Sequence, residues 1–455
     1  MVFFDLFDKM KKIIFRSTNI WLGSIFIATI LFGWWSNPSL VPKTNLGDTP
    51  GYLSIAKDFS APQTEIRPFF FPLIIRISMI ISEIHWEKYF SVIQITLHAI
   101  ICVLIYQFYL RFKFNKTISF ILTLLIGFNP SIIYWSTYLM PDFLLAVLTT
   151  LAWFSTIIFI QRYNKNKKNA GYLILIGIFS GLAIVTKPQS IFCVLPLICA
   201  FVFASKKSTK MIKPIILLLI INFSFHQLWE NYKSYNNSET SFELLDFIEF
   251  PINMTAIRGG LVDYGEGTPF YDLLEKKELL HTARQLKIKF SYTMDEDPDF
   301  LKLYKALKDD WDIKNDKEFA KKILVQEPIK LFIYSISNWH AFFTKRCFGP
   351  GDGSFPGMPD AIRYLYVVGY SVLYRPFLLI LLLFSFFILW KRNLMTLLYS
   401  SGGLILYASL TTALLTPHGG EFPRYRVWVE YIIWFCALIP VGYIIQFLLG
   451  KLKRE

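Results

Sequence analysis

The stretch PDFLLAVLTTLAWFSTIIFIQ, residues 141–161, carries one ionisable acid, Asp142, and that residue stands in its first turn. About 20 consecutive apolar residues are enough to cross a bilayer as a helix. The stretch has none of the polar–apolar alternation that a strand of a membrane barrel needs. Working outward, comparable blocks recur at about 19–35, 89–110, 115–136, 170–186, 188–205, 211–230, 364–390, 394–416 and 427–449. Together they predict an all-α polytopic membrane protein of about ten transmembrane helices. Composition agrees: of 455 residues 54% are apolar and only 18% charged, against roughly 25% charged in a soluble domain. A soluble enzyme, a disordered chain and a disulfide-stapled secreted domain are excluded. The five cysteines are isolated and offer neither a disulfide framework nor metal-ligand spacing.

The stretch 69–84 is apolar but short, and it contains Pro72 and Arg76. Loop charge decides its reading. If it does not span, the basic loops Arg111–Lys116, Arg162–Lys168, Lys206–Lys213, Lys391–Arg392 and Lys451–Arg454 fall on one side with the basic N-terminus. If it spans, that pattern breaks. It is therefore predicted to lie as an amphipathic helix in the outer interface. Both termini are then cytoplasmic, the first block is an anchor rather than a cleaved signal, and the chain sits in the plasma (inner) membrane. The net charge of +14 follows from the same loop bias, so no nucleic-acid partner is implied.

The organisation expected is a membrane core over 1–230 with its first outer loop at 37–88, an extracytoplasmic domain at 231–363, and C-terminal membrane helices over 364–455. Short outer turns fall at Tyr138–Asp142 and Thr186–Gln189, with a last outer segment at Thr416–Arg426. Within the outer domain, Asp297-Pro298 reads as an N-cap and first helical residue. Phe300, Leu303, Tyr304, Leu307 and Trp311 follow at helical spacing. A second helix is predicted from about Asp316 to Gln326, stopping at Pro328, and the aromatic stretch 329–345 lies on the membrane or under the domain. There are no internal repeats and no Walker or dinucleotide glycine motif.

The outer segments hold the residues that could carry chemistry. Asp48 and Tyr52 stand in GDTPGY, Arg67 opens the interfacial helix, Asp142 follows Pro141, and Lys187 precedes Pro188. His418, Glu421, Arg424, Tyr425 and Arg426 open the last span. Carboxylates and cations from distant segments gather at one membrane face. One chemistry that uses both is group transfer from a lipid-linked phosphate. A carboxylate deprotonates the incoming hydroxyl and cations hold the departing phosphate.

Each residue also has a plainer use. Asp48 suits a turn, and Asp142 favours the helix dipole. Arg67 and Lys187 could snorkel at the interface, Glu421 could pair with a neighbouring arginine, and His418 could order its loop. Arg424 and Arg426 gain nothing from the dipole or the inside bias at an outer-facing helix start. His98, His226 and His340 read as packed or interfacial residues, and the acidic run Asp295–Asp299 lacks calcium-loop spacing. No cofactor is required. A divalent cation near Asp48 and Asp142 is compatible with the residues, but the spacing does not demand one.

GDTPGYLSIA (47–56) followed by RPFFFPLIIRI (67–77) resembles the first outer loop of the GT-C glycosyltransferases. NPSIIYWSTYLMPDFLLAVLTTLAWF (129–154), GIFSGLAIVTKPQS (177–190) and EFPRYRVWVEYIIWFCALIP (421–440) are similar to later segments of that group, in the same order. Protein O-mannosyltransferases and the lipid A aminoarabinose transferase belong to it. The resemblance covers about 40–230 and 364–450 and does not extend to 231–363. It implies a GT-C fold and transfer of a sugar, with inversion, from a polyprenyl-phosphate-linked donor to a glycan, lipid or protein acceptor at the outer face.

The same resemblance makes Asp48 the catalytic base and puts Asp142 at the family's second acidic position. Arg67, Arg424 and Tyr425 match its basic motifs near the donor phosphate. Lys187, Arg426, Tyr52, His418 and Glu421 complete the candidate donor and substrate site. Protein O-mannosyltransferases carry adjacent acidic residues in the first loop, where this chain has Asp48-Thr49. That departure weakens protein mannosylation specifically. Two rivals stay open: a ligase or polymerase of lipid-diphosphate-linked glycans, and a non-enzymatic transporter of lipid-linked sugars, which would place ionisable groups and broken helices at mid-span.

Overall fold

The computed structural model describes residues 19–44, 48–60, 67–167, 169–187, 190–205, 208–235, 244–287, 297–307, 316–345, 355–374, 376–415 and 422–452. Among them there is no strand, and one isolated parallel bridge joins Lys43 to Tyr138. The chain divides into two compact units. The first comprises Met1–Glu239, Phe348–Ile405 and Val427–Glu455; the second comprises Thr240–Cys347 and Leu406–Arg426.

In the first unit α1 is Asn19–Ser36, α2 Thr49–Lys57, α3 Phe70–Ile81, α4 Trp86–Arg111, α5 Lys116–Gly127 and α6 Pro130–Ser136. Then come α7 Pro141–Asn164, α8 Ala170–Ile184, α9 Val194–Ala204 and α10 Ile212–Tyr235. Among the described residues five helices are long and apolar enough to cross a membrane: α4, α7, α10, Met395–Leu414 and Arg424–Leu449. The number rises to seven if two bent pairs each count as one span. Four shorter apolar helices lie at Ile20–Ser36, Phe70–Ile81, Ala170–Ile184 and Val194–Ala204.

The single span expected over 115–136 is two helices, α5 and α6, bent by 51°. Local chemistry accounts for the break. Pro130 has no N–H with which to continue the helix, and Asn129 accepts from the Ser131 and Ile132 N–H groups to cap a new one. The expected span 364–390 is likewise divided, into Asp360–Leu373 and Pro376–Lys391, again ahead of a proline. Tyr374 sits at that second break and ties the two together. Its hydroxyl lies 2.8 Å from Asn129 Oδ1 and 2.5 Å from Glu430 Oε1, which also accepts from Trp434 Nε1 at 2.9 Å. A buried acceptor at the head of the last helix thus fixes both bends.

At 12 residues α3 rises only about 18 Å, well short of a hydrocarbon core of about 30 Å. Phe71, Pro72, Ile75 and Ser78 are buried along one face, while Ile77, Ile80 and Ile81 are exposed on the other. By contrast α7 is buried along almost its whole length and packs against α8, α4 and the last helix. Close approach is set by small residues where α8 meets α10. A Cβ on Gly177 would stand 2.8 Å from Ile221, and one on Gly181 only 2.1 Å from the Phe225 ring.

The second unit holds α11 Leu244–Arg258, α12 Pro269–Lys276, α13 Leu280–Gln285, α14 Pro298–Ala306, α15 Lys317–Gln326, α16 Pro328–Ser335 and α17 Ala341–Thr344. Its caps follow the sequence signals. Asp297 accepts from the Asp299 N–H ahead of Pro298, and Asp316 accepts from Glu318 and Phe319. Phe300, Leu303 and Leu307 join Phe270, Phe319 and Ile323 in one apolar core, with Tyr304 packed against it. Trp311 lies outside the described residues. The remaining elements are α18 Asp360–Leu373, α19 Pro376–Lys391, α20 Met395–Leu415, α21 Phe422–Arg426 and α22 Glu430–Leu452.

Candidate functional site

Two charge pairs in the first unit join residues named as candidates from the sequence. Arg67 Nη2 lies 3.3 Å from Asp48 Oδ1, and Lys187 Nζ lies 2.5 Å from Asp142 Oδ1. Four segments, widely separated in sequence, supply them, and main-chain bonds stitch those segments together. Lys43 N donates to Thr137 O at 2.8 Å, and Leu139 N donates back to Lys43 O at 3.0 Å. The first loop is thereby docked on the turn that leads into α7 and Asp142. Thr49, next to Asp48, brings its hydroxyl to 3.5 Å from Leu139 O. At the other seam Phe70 N donates to Val185 O at 3.0 Å, which joins the start of α3, beside Arg67, to the end of α8, beside Lys187.

Asp48 occupies the N-cap position of α2, yet its side chain makes no capping bond. Its carboxylate turns to Arg67 instead. The two pairs differ in access. The Asp48 side chain is 40% exposed and that of Arg67 19%, whereas Lys187 is 4% and Asp142 0% exposed. Asp48 is therefore the carboxylate that a solute can reach. Asp142 and Lys187 form a sealed pair, and the ammonium also lies 5.5 Å from the Trp428 ring.

Tyr52 is buried, stands edge-on to Phe71 with ring centroids 5.2 Å apart, and has the Arg67 guanidinium 5.6 Å from its own ring. Tyr52, backed by Phe71, thus lies against Arg67.

Sequence reading passed over three features of this region. Gly51 is one: a Cβ there would fall 2.7 Å from Arg67 Nε and 2.8 Å from Cζ, so the guanidinium needs a glycine beneath it. Lys43 is another, with its ammonium 5.2 and 5.4 Å from the Tyr134 and Tyr138 rings. The third is Glu430, already placed at the helix breaks. Only the position of Gly51 inside GDTPGY gave a signal.

Arg424, Tyr425 and Arg426 fall in the second unit. Arg426 is fully buried, and its Nη1 donates to Phe342 O at 2.8 Å and to Lys345 O at 2.7 Å. Those are carbonyls at the end of α17, where a cation is favourable. Arg424 is half-buried, with its guanidinium 5.8 Å from the Tyr425 ring. His418 and Glu421 lie outside the described residues. Among the described residues no group of three or more His, Cys, Asp or Glu is placed to hold a metal ion.

Residues 66–229, a little over a third of the chain, match the model of the dolichyl-phosphate-mannose-protein mannosyltransferase family. The match contains Arg67, Asp142 and Lys187 and begins after Asp48 and Tyr52. It takes in three of the five motifs quoted above, and over that stretch the chain is similar to the family.

Two solved structures are similar. One is the archaeal oligosaccharyltransferase AglB from Archaeoglobus fulgidus, in complex with an inhibitory peptide and a dolichol-phosphate. It is 14% identical, with a TM-score of 0.47 over 96% of this chain and 52% of that one. The chain thus spans about half its length. The other is ArnT from Cupriavidus metallidurans in the apo state, 13% identical, with a TM-score of 0.35 over 90% of this chain and 78% of that one. No curated protein sequence matches the chain.

Proposed function

We propose that this protein is an integral membrane glycosyltransferase of GT-C type. It takes a sugar from a polyprenyl-phosphate-linked donor and transfers it to a glycan, lipid or protein acceptor at the outer face of the membrane. The observation that carries the reading is the Asp48–Arg67 pair: a reachable carboxylate, unused as a helix cap, beside a guanidinium of the kind that binds phosphate. In the reaction an Asp48 oxygen takes the proton of the acceptor hydroxyl. The freed oxygen attacks the anomeric carbon from the face opposite the leaving group, and the bond to the phosphate oxygen breaks. Polyprenyl phosphate departs with the electron pair and the configuration inverts. Because that leaving group is a weak base, charge stabilisation suffices and no general acid is needed.

Arg67 is assigned to the donor phosphate and Tyr52 to the wall beside it; for Arg424 the same role rests on the sequence resemblance alone. Asp142 and Lys187 are assigned to positioning, since their charges already satisfy each other away from solvent. Arg426 is assigned to holding α17. The proposed topology keeps both termini cytoplasmic and puts α3 flat in the outer interface.

The test is release of free polyprenyl phosphate by the purified chain, offered a panel of polyprenyl-phosphate sugars and an envelope extract. Wild type is compared with Asp48→Asn. Release from one donor that disappears in the variant supports the reading and names the sugar. No release from any donor by folded protein overturns it in favour of diphosphate-linked glycans or transport.

A further inference from the structure

At the far end of α7, a helix of 24 residues whose last residue lies about 33 Å along the axis from Asp142, the first unit contains a cavity of about 690 Å³. Arg111, Lys113, Lys165 and Arg392 line it together with Gln161 and Tyr443, and no carboxylate does so among the described residues. These cations stand at or just past the C-termini of α4, α7 and α19, which the sequence predicts to share one side of the membrane. An inside bias puts lysines and arginines in such loops. It does not require four of them to converge on one hollow.

Helix dipoles do not use up the charge. Three helix C-termini meet here, each worth about −0.5 of a charge. Against four cations that leaves a surplus of roughly +2.5, which calls for an anion. Arg392 is already oriented, its guanidinium 3.9 Å from the Tyr443 ring centroid. That contact holds the guanidinium at the hollow, where its planar fork suits a bidentate acceptor such as phosphate.

The surroundings identify the carrier of that phosphate. Phe447 lines an adjoining cavity of about 490 Å³ that shares Lys113, Arg392 and Tyr443. Phe447 is 62% exposed, and Trp390, two residues before Arg392, is 55% exposed. Aromatic side chains bared on membrane-spanning helices face acyl chains. We propose that this hollow binds the phosphate of an anionic glycerophospholipid, with its chains lying along the faces that carry Trp390 and Phe447. The site is independent of the sugar-transfer reading.

The test uses the full chain purified in detergent, given phosphatidylglycerol or phosphatidylcholine and read by native mass spectrometry. Retention of phosphatidylglycerol several-fold above phosphatidylcholine is expected. Each neutralised cation should weaken it roughly five-fold, so Lys113→Gln/Lys165→Gln falls by about 25-fold. All four cations are exposed, so these changes leave the apolar core intact. Lys210→Gln/Lys213→Gln, which removes two cations predicted to lie on the same side but outside the hollow, should leave retention unchanged. Arg392→Lys, which keeps the charge and loses the fork, should fall by less than Arg392→Gln. Equal retention of the two lipids, or unchanged retention in the Lys113/Lys165 variant, overturns the proposal. Displacement of the lipid by inorganic phosphate at equal concentration overturns the lipid assignment.

Discussion

Lys187 Nζ meets Asp142 Oδ1 at 2.5 Å with neither side chain more than 4% exposed. The ion pair spans 45 residues of sequence and is sealed at the head of the most deeply buried helix. Nearby, Arg67 and Asp48 make a looser pair at 3.3 Å that remains open. One pair is closed to solvent and the other open to it, and the proposed mechanism accordingly assigns positioning to the first and chemistry to the second.

The first prediction follows from Asp48. Asp48→Asn keeps the size and the contact with Arg67 but removes the basic oxygen. Transfer should drop by at least about 100-fold, the usual scale of a general base, while the donor still binds. Donor retention and turnover, measured on the same preparation, check this. Full turnover in the variant would remove Asp48 from the mechanism.

Gly51 yields a sharper test, because it touches no substrate in the proposed scheme. A methyl at 51 meets Arg67 at 2.7 Å, so Gly51→Ala must push the guanidinium off its position. The variant should raise the donor KM as Arg67→Ala does, with little change in thermal stability. A Tm loss with an unaltered KM would mean that the glycine serves only the turn.

For the sealed pair the cost is structural. Removing one partner leaves a buried charge uncompensated, typically about 3–5 kcal/mol. Lys187→Met should therefore lower the melting temperature strongly. Lys187→Met/Asp142→Asn should recover much of that loss, because both charges go together. A double variant as unstable as the sum of the two single variants would contradict the pairing.

Arg424 and Arg426 should separate cleanly. Arg426→Lys forfeits the fork shared between Phe342 O and Lys345 O and should destabilise the fold by about 1–3 kcal/mol. Arg424→Gln should raise the donor KM and leave the melting temperature nearly unchanged. Kinetics and thermal denaturation of the two purified variants decide this, and interchanged effects would reverse the two assignments.

Much of this was legible in the sequence because it depends on neighbours along the chain. Apolar length marked the long helices, although only five to seven of the ten expected spans are long and apolar enough among the described residues, and Asp297-Pro298 and Asp316 announced their helices. The break at Asn129-Pro130 was also written locally, yet the apolar run on both sides hid it. What stayed out of reach depends on neighbours in space. Glu430 reads as one acid at the head of an apolar block, and only the fold brings it to Tyr374 and Trp434. Asp48, Arg67, Asp142 and Lys187 could each be named as candidates. Their sorting into an open pair and a sealed pair required the loop docking through Lys43 and Phe70.

The last prediction concerns the contact between α8 and α10. Gly177 and Gly181 stand one turn apart and receive Ile221 and Phe225, also one turn apart. Adding a methyl at 181 meets the Phe225 ring at 2.1 Å, where no rotamer change at the glycine can relieve it. Either the ring turns away or the helices separate, and overpacking of this kind costs about 1–3 kcal/mol. Gly181→Ala should lower the melting temperature measurably, and Gly181→Ala/Phe225→Ala should restore part of it by clearing the space. If the single variant is as stable as wild type, this helix pair does not pack as closely as the structure has it.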